Sequence, residues 1–309
     1  MRTALTALTA ELKRLKAAGV KSVPVSEASL GALRRAVAAA SSEGAGAAPS
    51  AEERRTAAVE TPAAVPAYRP PGRPAAAPAA PKVDATIPPP PTVVLPAGEK
   101  AARWAALRER VLNDEVCRAH VRPGKQVVFG VGNIDAQIMF VGEAPGAEEE
   151  VQGEPFVGPA GQLLTRMISG MGLERKDVYI GNIMNWRPEI PGSGSVQFGN
   201  RPPTEQEMAY CLPFLKAQIE VVNPSLLVAL GSTAAQGLLG FGTFRALGEV
   251  RGRWREFAEK PLMVTYHPSY ILRNPTNRSK RLIWEDLLKV MERAGLPISE
   301  KQRGYFLEK

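Results

Sequence analysis

The chain has 309 residues and a formal net charge of +8. At about 150 residues per domain, two domains would be expected. Yet Tyr68 alone among its Phe, Trp and Tyr residues precedes Trp104, which excludes a core of ordinary aromatic content from the first hundred residues. Two cysteines and two histidines exclude a disulfide-dense scaffold and leave few of the usual zinc ligands.

Residues 3–18 and 26–41 have helix-forming composition, with Leu5, Leu8, Leu12 and Leu15 at helical spacing. Residues 1–41 therefore read as a short helical segment with a narrow, Ala-rich face, for which a partner-docking element and a weakly ordered extension are equal expectations. Glu11 interrupts the first basic and apolar stretch, and no cleavage pattern follows, so no secretory signal is expected. No apolar run reaches the length of a membrane span, and a cytoplasmic protein with no membrane partner is the resulting expectation. Thirteen of the 28 prolines fall between Pro49 and Pro96, among Ala, Gly and Ser. Such a composition does not offset its own ordering entropy, so residues 42–98 read as a disordered linker and 99–309 as one domain.

Beyond residue 100 short apolar runs alternate with helical patterns. Candidate strands are 137–141, 178–183, 225–230 and 262–266, each suited to a sheet buried on both faces. Helices are predicted over GPAGQLLTRMISGMG after the first strand, STAAQGLL after the third and SKRLIWEDLLKVMERA after the fourth. Thr204 and Glu207 form a capping box that opens another, through about Val221. The fold class is α/β, with a mainly parallel sheet of about four strands sandwiched by helices. Ligands in such folds bind beyond the carboxyl ends of the strands. No acidic residue lies between Glu259 and Glu285, where Lys260, Arg273, Arg278, Lys280 and Arg281 gather, a field suited to a phosphate backbone.

Three strand ends carry unusual residues. They run into GEAPGAEEEVQGEPFVGPAGQLL (142–164), NIMNWRP (182–188) and HPSYILR (267–273), with NRPPT at 200–204. Counting GEAPG and PFVGPAGQLL in the first segment separately, these make five motifs whose order resembles the family-four uracil-DNA glycosylases of bacteria, over roughly residues 105–293. The resemblance implies a monofunctional glycosylase that hydrolyses the N-glycosidic bond of deoxyuridine in DNA and leaves an abasic site, a monomer with uracil-containing DNA as its partner. The alternatives are a weakly catalytic or non-catalytic DNA-binding damage sensor and a glycosylase for hypoxanthine or xanthine.

A glycosylase must extrude the base, read its Watson–Crick edge and stabilise the charge leaving on it. In that reading Phe156 offers a flat surface for the extruded ring, although PFVG alone could be a core turn. Asn182 can donate and accept at once, and so pair with O4 and N3–H of uracil. Ala144 and Asn200 complete the substrate-binding set. His267 donates to uracil O2 as negative charge develops there. Glu143 and Glu149 match the family's acidic positions, and either can orient water or stabilise positive charge on the sugar. Ala144 stands where other branches of the superfamily place a water-activating Asp. Ser269 and Arg273 are assigned to phosphates, and Ile271 or Leu272 to the gap left by the flipped nucleotide.

The cysteines depart from the family. Its members typically hold a four-iron cluster with four Cys thiolates. Here Cys211 matches the last ligand, Cys117 lies within one residue of the second, Trp186 occupies the third position, and no Cys precedes Cys117. Cys117 and Cys211 are therefore remnants of that pattern, and neither a cluster nor any other cofactor or metal is expected. Cys211 is predicted to be a buried structural thiol, with Trp186 filling part of the cluster's space. A second departure is an insertion of about nine residues, EIPGSGSVQ (189–197), placed to reshape the DNA-facing rim.

Overall fold

The computed structural model describes residues 87–193 and 197–307. The predicted N-terminal helical segment, and the linker as far as residue 86, lie outside the described residues.

Six strands form one sheet in the order β1-β3-β2-β4-β6-β5. They are β1 (Val131–Gly132), β2 (Ile138–Gly142), β3 (Tyr179–Asn182), β4 (Leu226–Leu230), β5 (Trp254–Phe257) and β6 (Lys260–Thr265). The inner four, β3-β2-β4-β6, are parallel, and they are the four expected strands. The sheet exceeds the expected four because an antiparallel strand closes each edge. Neither edge has a sequence signature. β1 is two residues long, and β5 reads intermediate-exposed-exposed-intermediate rather than as an apolar run.

Every residue of β2 and β4 is buried, and the two-residue period of a strand divides them between two cores. Met139, Val141, Leu227, Ala229, Leu262 and Val264 face one core. It is completed by α1 (Lys100–Leu112), α2 (Glu115–Ala119), α5 (Glu205–Val222) and α6 (Ser232–Leu239). Ile138, Phe140, Leu226, Val228 and Met263 face the other, with α4 (Pro159–Gly170) and α8 (Asn277–Arg293). Ile283, Trp284, Leu287, Val290 and Met291 form the apolar stripe of α8 at helical spacing. Three short helices, α3 (Glu149–Gln152), α7 (Pro268–Arg273) and α9 (Glu300–Arg303), lie in the loops. The predicted capping box is made: Thr204 Oγ1 accepts from Glu207 N–H at 3.1 Å, and the Glu207 carboxylate accepts from Thr204 N–H at 2.6 Å.

The linker ends earlier than expected. Ile87 is buried in the first core, Val93 and Leu95 pack against it, Gln206 donates to the Ile87 carbonyl and Arg110 to that of Thr92. The side chains it buries are aliphatic, so counting aromatics missed it. No helix among the described residues is long and apolar enough to cross a membrane.

Candidate active site

A cleft of about 320 Å³ opens at the carboxyl ends of the parallel strands. Its walls include Ala144 and Glu149 from the segment after β2, Phe156 ahead of α4, Asn182 at the end of β3, Asn200 ahead of α5, and His267 and Leu272 after β6. Seven of the expected site residues thus converge, from segments more than a hundred residues apart, because the parallel order points all these strand ends the same way.

Phe156 is buried with φ of 55°, a left-handed backbone unusual for an aromatic residue and found where surrounding structure enforces it. Two glycines make room for it. A Cβ at Gly161 would collide with the Phe156 carbonyl, and one at Gly142 with the Phe156 ring and Asn182 Oδ1. Asn182 is buried, and its Oδ1 has no hydrogen-bond partner. A buried amide oxygen without a partner, on a residue that lines a cleft, is an acceptor that a ligand N–H would satisfy.

His267 caps α7. Its Nδ1 accepts from the Ser269 backbone N–H at 3.2 Å and lies 2.8 Å from Ser269 Oγ, which in turn accepts from Arg273 at 3.0 Å. Burial, with the Arg273 charge behind it, lowers the imidazole to about 4, so the ring is neutral at pH 7. Ser269 therefore turns its hydrogen-bonding groups toward His267, where a direct phosphate contact was expected. Arg273 is exposed. Of the expected wedge pair, Ile271 is 7% exposed and belongs to the second core, whereas Leu272 is 46% exposed on the cleft rim.

The two expected catalytic carboxylates differ. Glu149 accepts backbone N–H bonds from Gly146, Val157 and Gly158, each at 3.0 Å, so it ties the GEAPG loop to the PFVG loop. Glu143 is not on the cleft wall. Its carboxyl bonds Thr233 at the start of α6, and burial pushes it above the usual carboxylate range. β2 ends at Gly142, and of the two residues that follow it, Ala144 lines the cleft and Glu143 does not.

Sequence reasoning missed Arg187. It is 6% exposed and donates to Glu150 at 2.8 Å, to Asn200 Oδ1 at 2.8 Å and to the Gly199 carbonyl at 2.6 Å. Arg122 also pairs with Glu150. With Asn200 Oδ1 engaged by Arg187, the amide has its donor end left for the cleft. The motif NIMNWRP contains Arg187, but nothing in the sequence marks Glu150, 37 positions away, as its partner.

The cationic stretch after Glu259 separates in space. Lys260 starts β6 at the end of the strand remote from the cleft and bonds Asn223. Arg281 pairs with Glu285 and with the carbonyls of Arg303 and Tyr305.

The region of the family's cluster is packed with side chains. Trp186, 1% exposed, stacks on His120 with centroids 4.9 Å apart and lies 6.3 Å from Tyr210. Tyr210 donates to Asp114. Cys117 and Cys211 are both fully buried, and the hydrogen bond between their thiols, with burial, pushes the Cys117 thiol far up. Among the described residues no group of three or more His, Cys, Asp or Glu could hold a metal ion. These residues do not fit a four-thiolate cluster.

The uracil DNA glycosylase superfamily model matches residues 129–288. The chain is 43% identical over 182 residues to a type-4 uracil-DNA glycosylase of Thermotoga maritima, covering 59% of this chain and 89% of the relative. It is 41% identical over 175 residues to a type-4 enzyme of Saccharolobus solfataricus, 54% of this chain and 76% of the relative. It is also 29% identical over 179 residues to a type-5 uracil-DNA glycosylase of Pyrobaculum aerophilum, 53% and 73%. By this match and by the site just described, the chain belongs to the uracil DNA glycosylase superfamily.

Proposed function

We propose that the protein is a monofunctional uracil-DNA glycosylase of base excision repair that works without an iron–sulfur cluster or any other cofactor. The observation that carries this reading is the meeting, in one cleft, of a strained aromatic floor at Phe156, an open amide at Asn182 and a neutral imidazole at His267.

DNA supplies the extruded nucleotide, and Leu272 enters the space it leaves. Uracil lies against Phe156. The Asn182 amide accepts from N3–H and donates to O4, a pairing that cytosine, lacking N3–H and bearing an amino group at C4, cannot make. As the C1′–N1 bond breaks, its electron pair moves into the uracil ring toward O2. There a donor hydrogen bond from His267 Nε2–H meets the developing charge without transferring the proton. Water then bonds to C1′ and its proton ends on the departing uracil. Glu149, whose oxygens already accept three backbone N–H bonds, is better suited to offset positive charge on the sugar than to take the water's proton. The cleft is completed by one polypeptide, which supports a monomer; the repair substrate fits a cytoplasmic enzyme.

Release of free uracil from a deoxyuridine oligonucleotide, with thymine, hypoxanthine and xanthine substrates alongside, tests the reading. Excision of uracil leaving an alkali-labile abasic site is expected. DNA binding without release would favour a damage sensor.

A further inference from the structure

Phe198 is 86% exposed, the most exposed of the large hydrophobic side chains among the described residues. Such a residue on a loose loop would carry little meaning. This one is held from both sides. Before it, Gln197 is 6% exposed; its Oε1 accepts from Ile190 N–H at 3.0 Å, and its Nε2 donates to the carbonyls of Pro188 at 3.1 Å and Gly199 at 3.3 Å. After it, the Gly199 carbonyl also accepts from Arg187 at 2.6 Å. The backbone is fixed while the ring projects into solvent.

Its place in the fold adds the second observation. Gly199 and Asn200, the next two residues, line the cleft. Leu272 stands on the rim contributed by the segment after β6, and Phe198 belongs to the segment that follows β3. These are the outer two of the four parallel strands, three strand spacings of about 4.8 Å apart. An exposed aliphatic side chain thus stands at the cleft from the segment after β6, and an exposed aromatic stands next in sequence to the cleft-lining Gly199 and Asn200 that follow β3.

We propose that Phe198 is a second DNA-contacting residue, which stacks on the face of a base laid bare when the target nucleotide leaves the helix. The occupant is DNA rather than protein because any strand delivering a nucleotide to this cleft must pass both segments. An aromatic ring on a preset backbone binds a base face of any sequence with little ordering cost. The proposal rests on the glycosylase reading for its geometry, and it gives Gln197, with its bonds to Ile190, Pro188 and Gly199, the task of presenting Phe198.

The test is equilibrium binding of the full chain to a duplex carrying a non-hydrolysable abasic analogue, which needs no catalysis, together with single-turnover excision. Phe198→Ala should weaken binding by about 5- to 150-fold, the range of aromatic–base stacking, at an unchanged melting temperature. Phe198→Trp should bind like the parent and show quenched indole fluorescence on DNA; Phe198→Leu should recover only part of the loss. Parent-like affinity and excision in Phe198→Ala would overturn the proposal and leave the glycosylase reading standing. So would full recovery by Leu, since it would show a plain apolar contact, and so would a loss of binding in Phe198→Ala that Trp does not restore. A parent that binds DNA but releases no uracil would instead defeat the glycosylase reading, with the binding comparison still deciding Phe198.

Discussion

The backbone N–H of Ser269 donates to Nδ1 of His267 at 3.2 Å, and this determines what the imidazole can do. An N–H can meet only a lone pair, so Nδ1 is unprotonated and the single ring proton sits on Nε2. The ring is a neutral donor before any substrate arrives.

The acid limb of the pH profile should therefore lie low. With His267 lowered to about 4 by burial and by Arg273, single-turnover excision should be flat from pH 8 to about 5 and fall as the pH passes through about 4. Arg273→Ala removes the second cause and should move that limb upward while weakening DNA binding. His267→Ala should cost about 10²- to 10³-fold in rate with binding at fixed salt nearly intact, the scale for loss of one placed oxyanion donor. The stability sign follows: the unfolded imidazole binds its proton near 6.5 and the folded one near 4, so the unfolded chain holds more protons between those values. Melting temperature should fall as pH drops from 6.5 toward 4, and His267→Gln should flatten that slope.

Glu149→Gln separates an anchoring carboxylate from a water-activating one. Three backbone N–H groups converge on its two oxygens, and an amide can offer only one oxygen. At least one donor loses its partner, at about 1–3 kcal/mol, so the variant should melt lower as well as excise more slowly. Slow excision at the parent's stability would identify the carboxylate as a proton acceptor.

These residues show where sequence reading succeeds and where it stops. The inner strands were legible because a strand buried on both faces has little choice of composition, and the cleft followed because parallel strands end together. Ile271 and Leu272 were indistinguishable as neighbours in a motif; only the pitch of α7 against the second core separates them. Glu143 and Ala144 both lie past the end of β2, where no period assigns a side chain to the cleft, and Glu143 bonds Thr233 instead. Arg187 stayed hidden because its partners lie 37 and 13 positions away, a distance that no local pattern encodes.

Arg187→Lys tests the clamp on Asn200. A single ammonium cannot bridge Glu150, Asn200 and the Gly199 carbonyl as the planar guanidinium does. Excision should drop by about 10- to 100-fold, on the order of 1–3 kcal/mol for one displaced buried hydrogen-bonding group. Asn200→Ala added to that variant should cost much less than it does in the parent, because the two act as a unit. Additive losses in this double-mutant cycle would show that Asn200 is oriented without Arg187.

The proposed freedom from an iron–sulfur cluster has a direct assay. With Trp186 stacked on His120 where the family places a cluster and only two thiols nearby, the purified protein should be colourless and free of stoichiometric iron. Cys117→Ser with Cys211→Ser should retain uracil excision within a few-fold at 25 °C, since a serine pair can keep the mutual hydrogen bond. About four irons per chain, the content of a [4Fe–4S] centre, would overturn this.

Leu272 and its neighbour Ile271 should respond to truncation in opposite ways. Ile271 is packed in the second core, so Ile271→Ala should cost about 2–5 kcal/mol of stability through lost burial and the cavity it leaves. Leu272 projects from the rim, and Leu272→Ala should change stability by no more than about 0.5 kcal/mol. Function should reverse the order. If Leu272 fills the gap left by the extruded nucleotide, its truncation forfeits part of the roughly 1.5–3 kcal/mol that burying a leucine contributes, and excision from duplex DNA should slow by on the order of 10-fold. Excision from a single strand should change little, because there is no stack to fill. Equal losses on both substrates would place Leu272 in the uracil pocket rather than in the helix, and a parent-like rate on duplex DNA would remove it from the flipping step.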